Sequence, residues 1–248
     1  TLITRTTADP KGVFLLMQEA MKEMWEYDSF LLSNFYELRI GAESLARKYA
    51  RLQGKQEVTL NDIYYAMATT TCVTEEQLEE LKKLEVKTEY NNVLGLSKNI
   101  DLLKRLKDKG HHLILVSDMY LCENCIRSIL CHVDSIFSDI PIYVSSDYGK
   151  TKGSGDLFRL VKEREHIAFS DWIHYGDNEY ADIKAALKLG IQAIYLPQER
   201  LMEYEQPQKD FYHQLSVGVA KYIRTSGQRN TAWEVGCSLG GPVLYPYV

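Results

Sequence analysis

Asp171-Trp-Ile-His-Tyr-Gly-Asp-Asn-Glu-Tyr-Ala-Asp182 begins as a run of apolar and aromatic residues and breaks at Gly176. Acids then follow at Asp177, Glu179 and Asp182, where a helix is about to start. A buried strand that ends in carboxylates and turns into a helix is one unit of an α/β fold. The neighbouring sequence repeats the pattern. "HHLILVSD" (111–118) is a short apolar run with a polar end, and a helix is predicted from about Glu123 to His132. "IPIYVSS" (140–146) is followed by the helical "SGDLFRLVKERE" (154–165), and "DWIHYGD" by "ADIKAALKLG" (181–190) and "IQAIYLP" (191–197). Strands and helices alternating through short links predict βαβ units and a parallel sheet buried on both faces.

Upstream, from about Asp9 to Lys109, the period is helical throughout and nothing reads clearly as a strand. "DPKGVFLLMQEAMKEMW" (9–25) opens with an Asp cap and a first-turn proline. "TLNDIYYAMATTT" (59–71) and "TEEQLEELKKLEVKTEYN" (74–91) each open on threonine followed by acids. "NIDLLKRLKDKG" (99–110) closes at Gly110. The tail after Gln198 reads as helical through "DFYHQLSVGVAKYIR" (210–224) and then as Gly-rich.

Bulk composition sets limits on function. The chain has 248 residues, 45% hydrophobic and 25% charged, enough for a sizeable core. A net charge of −5 argues against nucleic acid or an anionic membrane as the main partner. No apolar run reaches the ~18 residues of a membrane span. Five cysteines without a disulfide-framework spacing suit reduced thiols in a cytoplasmic protein. Cys122-Glu-Asn-Cys125 with Cys131-His132 could suggest a redox pair or a zinc site. Spread around one loop-to-helix stretch, the four groups would diverge, and packing on the sheet is the simpler reading.

In an open parallel sheet, ligands bind where the strands end. Three strand ends here carry distinct groups: Ser117-Asp118, then Lys150 and Lys152 in a loop, then Asp177 with Asp182 behind it. A hydroxyl, an ammonium and a carboxylate pair suit a phosphate with a divalent cation. Each has a plainer alternative, since Asp182 could cap the next helix and Lys152 could be a solvated loop lysine. In the helical segment, Arg39 stands between Glu37 and Glu43; it could reach a substrate anion or form an internal bridge. His174 lies within a strand and reads as core.

"HHLILVSDMYL" (111–121), "SSDYGKTKGSGDLF" (145–158) and "WIHYGDNEYADIKAALKLGIQAIYL" (172–196) resemble motifs II, III and IV of the haloacid dehalogenase-like hydrolase superfamily. They are closest to a subgroup found alone or attached to bacterial surface-polysaccharide glycosyltransferases, which implies a fused or associated glycosyltransferase as a partner. The resemblance implies a Rossmann-like α/β core, residues 1–8 and 110–248, with an all-helical cap inserted at 9–109. It also implies a small phosphorylated substrate and Mg²⁺. Ser117 would contact the phosphoryl group with Asp118 beside it, and Lys152 (of K-x-x-G-D-L-F) would steady the phosphate. In the metal site, Asp177 (of G-D-x-x-x-x-D) would be the Mg²⁺ ligand and Asp182 the acid supporting it.

Motif I of that family, D-x-[FYW]-D-[TS]-L, supplies the attacking aspartate and a second that acts as general acid and base. Neither is present, and "TLITR" (1–5) resembles the residues immediately after the second aspartate. The expectation is that the motif I strand, central in the sheet beside the motif II and IV strands, precedes Thr1. Without it, two rows of backbone groups would lack partners at roughly 1–3 kcal/mol each. The functional expectation is a Mg²⁺-dependent phosphohydrolase acting through an aspartyl-phosphate. Its alternatives are a catalytically incomplete binding or interaction domain of a polysaccharide-synthesis protein, and a structural role in which the cap helices mediate assembly.

Overall fold

The computed structural model describes residues 2–25, 30–197 and 211–226. They fall into two compact units. One holds Leu45–Ile63 and Leu102–Gln198, the other Leu2–Ser44, Tyr64–Asp101 and the helix at Phe211–Ser226.

The first unit contains the expected α/β alternation. Strand β3 (Leu115–Ser117) runs parallel to β4 (Ile142–Val144), with Ser117 opposite Val144. Strand β5 (Ile173–Gly176) runs parallel to β6 (Gln192–Tyr195), with Gly176 opposite Tyr195. Between them lie α6 (Glu123–Val133), the single turn α7 (Ser145–Tyr148) and α8 (Asp156–Glu165). Leu157, Phe158 and Val161 of α8 pack with Trp172, Ala185, Ala186 and Ile191 into the core beside β5. Among the described residues, β3 and β5 each have a single hydrogen-bonded neighbour, and no strand joins the two pairs.

The helix after β5 is unusual. Glu179–Lys184 forms a π-turn that passes into the short α9 (Ala185–Lys188). Asn178 caps it, its side-chain oxygen accepting from the backbone N–H groups of Tyr180 (3.0 Å) and Ala181 (2.9 Å). Such wide turns insert a residue and re-aim a side chain, and they concentrate at functional sites. Asp182 lies within this turn, with its side chain buried.

The second unit is helical, with α1 (Gly12–Met24), α4 (Glu75–Asn91) and α10 (Phe211–Ser226) as its principal pieces. Its caps follow the sequence. Asp9 Oδ1 accepts from the Lys11 N–H at 2.7 Å, and Thr74 with Gln77 forms a full capping box. In α10, a methyl at Gly218 would lie 1.9 Å from the backbone oxygen of Thr6, so only glycine allows that helix so close. Three further helices, α2 (Phe30–Leu52), α3 (Leu60–Ala68) and α5 (Ser97–Asp108), each have residues in both units.

Two features depart from the sequence reading. The region 9–109 is not free of strands, since β2 (Val93–Gly95) pairs antiparallel with β1 (Ile3–Arg5), which places β1 in the helical unit. Arg5 fixes that placement by reaching Glu89 at 2.9 Å. The second departure is Leu45–Ile63, expected within the cap, which groups with the sheets because its polar residues bond to the strand-end loops. The Gly-rich tail lies outside the described residues. None of the described helices is long and apolar enough to cross a membrane.

Candidate functional site

Asp182 is the centre of the site. Its side chain is 3% exposed, yet it carries a full complement of donors. Oδ1 accepts from the Lys152 ammonium at 2.5 Å and lies 3.0 Å from His174 Nε2. Oδ2 accepts from the backbone N–H groups of Asp177 (3.2 Å) and Asn178 (3.0 Å). Gly176 makes room for this packing, because a methyl there would sit 2.3 Å from the Asp182 carboxyl carbon. Burial pushes the Asp182 pKa up, but the His174 hydrogen bond, the Lys152 charge and the Asn178 N–H overcome that and hold it well below the carboxylate range.

Lys152 joins this carboxylate to the end of β3. Its backbone N–H donates to Asp118 Oδ1 at 2.9 Å while its amine reaches Asp182. Asp118 directly follows Ser117, and Asp177 directly follows β5. Hydrogen bonds therefore run from Asp118, next to Ser117, through Lys152 and Asp182 to the Asp177 N–H, linking the end of β3 to the end of β5. Asp118 is open to solvent on its outer side, but the surrounding protein pushes its pKa up, only partly countered by the Lys152 N–H and charge. The two carboxyls in contact with Lys152 are thus driven in opposite directions.

Residues the sequence reading passed over hold these loops in place. Ser145, at the start of α7, accepts from the Met119 N–H at 2.9 Å and donates to buried Glu57 at 2.9 Å. Glu57 also takes the Val58 N–H and the Arg47 guanidinium. Gln56 accepts from the Thr151 N–H at 3.1 Å and donates to Asp156 at 2.7 Å, fixing the loop that carries Lys152. The Leu60 N–H donates to the Tyr120 carbonyl at 3.0 Å. No strand-end pattern marks Gln56 or Glu57, so nothing near them in the sequence pointed to the site. His174 is core, as its position suggested, with its ring edge-on to Phe158 at 5.0 Å. The sequence did not reveal its contact with Asp182, although it lies two residues before Gly176, on the same strand face.

Each carboxylate oxygen of Asp182 meets two donors, which fills the roughly four lone-pair sites of the group, and Asp182 thereby orients Lys152. Arg39 lies in the helical unit, fully buried, with Nε and an Nη on Glu85 at 2.8 and 2.7 Å. The Tyr64 hydroxyl donates to the same carboxylate at 2.8 Å, and the guanidinium lies 4.4 Å from the Phe14 ring centre. This is the internal bridge, and it leaves Arg39 enclosed away from any substrate.

Among the described residues no group of three or more His, Cys, Asp or Glu side chains could hold a metal. Mg²⁺ needs fewer, since it usually takes one or two carboxylates and fills its octahedron with water and substrate oxygens. Asp177, half-buried at the end of β5, fits that requirement.

No family model and no curated protein matches the chain. Solved structures do. A haloacid dehalogenase-like family hydrolase from Xanthomonas campestris is 12% identical, with 92% of this chain and 90% of that one covered at a TM-score of 0.52. A dehalogenase solved with an intermediate complex is 13% identical, with 85% of each chain covered at a TM-score of 0.51. The likeness is one of fold.

Proposed function

We propose that this chain, which has the fold of the haloacid dehalogenase-like hydrolases, is a Mg²⁺-dependent phosphohydrolase acting on a small phosphomonoester such as a sugar phosphate. The observation that carries the reading is Lys152, whose backbone N–H donates to Asp118 after β3 while its ammonium is held by Asp182 behind β5. A lysine has three donor hydrogens. With one directed to Asp182, the others are available to a phosphoryl oxygen, and the Ser117 hydroxyl at the end of β3 donates to another. In this reading the attacking carboxylate is that of motif I, and among the described residues β3 and β5 each keep an edge at which its strand would pair. That carboxylate displaces the alcohol from phosphorus to give an aspartyl-phosphate, and water then cleaves the acyl phosphate to release inorganic phosphate. Asp177 would hold Mg²⁺, which supplies positive charge at the phosphoryl oxygens. The resemblance to motifs II, III and IV supports the reading, as does the fold of the neighbours.

The test assays the full-length protein with an aryl phosphate and Mg²⁺ and, separately, with a 2-halocarboxylate. Turnover of the phosphate is expected, and Lys152→Met should lower kcat by roughly 10²–10³-fold, the loss typical of one preorganised charge-stabilising donor. Release of halide with no phosphatase activity would replace the phosphohydrolase reading with dehalogenation.

A further inference from the structure

Beyond the strand-end site, Cys122 and Cys125 present their sulfurs to each other at 3.4 Å. Cys122 occupies the N-cap position of α6 and is exposed, and its sulfur makes no capping hydrogen bond. Cys125 is half-buried one turn into the helix. Positions three apart at a helix start stack on one face, so the pair converges although Cys131 and His132 lie farther along α6. A disulfide needs a sulfur separation of about 2.05 Å, so the two have only about 1.4 Å to close. A zinc site would need more ligands than two thiols, and no third stands ready among the described residues.

We propose that Cys122 and Cys125 form a reversible dithiol–disulfide couple, oxidised by a small-molecule disulfide such as oxidised glutathione. The exposed Cys122, as thiolate, attacks one sulfur of the glutathione disulfide and releases one glutathione thiol. Cys125 then loses its proton and attacks the Cys122 sulfur, expelling the second glutathione. Two cysteine thiols and one glutathione disulfide become one internal disulfide and two glutathione thiols, a two-electron oxidation of the chain. The order follows from burial, which with the neighbouring Cys122 sulfur and the Asp147 charge pushes the Cys125 thiol up to about 11. Cys125 thus keeps its proton until it is drawn onto the mixed disulfide, as a resolving thiol does.

Equilibration of the full chain in buffers of rising oxidised-to-reduced glutathione ratio, followed by acid quenching, alkylation and peptide mapping, tests the proposal. Cys122 and Cys125 should lose alkylation together, with a mass loss of two hydrogen atoms in the peptide that carries both. This should occur at ratios where exposed Cys72 is still alkylated. Reduced dithiol should restore both thiols. In Cys125→Ser, Cys122 should instead accumulate one glutathionyl group. A wild-type chain that collects glutathione on Cys122, or keeps both thiols alkylatable at the most oxidising ratio, would overturn the couple.

Discussion

Replacing Asp182 with alanine should destabilise the protein by about 3–5 kcal/mol, the usual result of removing one partner from a buried ion pair. The Lys152 ammonium, only 12% exposed, would lose its counter-ion, while His174 and the N–H groups of Asp177 and Asn178 would lose their acceptor. Chemical denaturation of the two proteins measures the difference, and a loss below ~1 kcal/mol would show that Lys152 finds water in the site. The same carboxylate gives the stability an acid limb. Its folded pKa is depressed, so its contribution is present above the unfolded value of ~3.9 and is lost as pH falls below that toward the folded value. Asp118 acts with the opposite sign: its raised pKa means the folded state gains a proton before the unfolded chain does. Comparison of the wild type with Asp182→Asn isolates the Asp182 share, and the acid limb below about pH 4 should flatten in the variant.

Arg39→Ala should be comparably severe, about 3–5 kcal/mol, because it strands Glu85 as a charge with no exposed surface. The guanidinium stack on Phe14 is lost with it. A double variant with leucine at position 85 and methionine at position 39 should recover much of that loss, since apolar groups of similar volume often replace a buried ion pair without cost. A substrate-binding role for Arg39 makes the opposite forecast, with little change in stability and a raised KM. Urea titrations of the single and double variants, beside KM for the hydrolysed ester, separate the two.

How far the sequence revealed this arrangement depended on how local each signal is. Ser117, Lys152 and Asp177 were legible because each ends an apolar run or follows it within a short loop, where an α/β sheet presents its ligands. Thr74 and Gln77 were legible as a capping box for the same reason: the whole interaction fits in four residues. Strand β2 was not, since three residues hold too little alternation to register, and its partner β1 lies about ninety positions away. Gln56 and Glu57 contact Thr151 and Ser145 across a similar span, which no periodicity records. The π-turn that holds Asp182 depends on tertiary packing, so the sequence showed Asp182 as a cap or as the acid behind Asp177 and not as the anchor of Lys152. The closeness of the Cys122 and Cys125 sulfurs was missed for a different reason. Weighing four metal-type groups together obscured the two that a helix start brings face to face.

Under the proposed function, the edge where β3 and β5 finish gathers an anion and a divalent cation in one pocket. The most direct test is the melting temperature of the protein with inorganic phosphate and Mg²⁺ added separately and together. Joint addition should raise it by more than the sum of the separate shifts, and the excess should vanish in both Lys152→Met and Asp177→Asn. An excess that survives both substitutions, or a wild-type protein whose melting temperature neither ion moves, would contradict it.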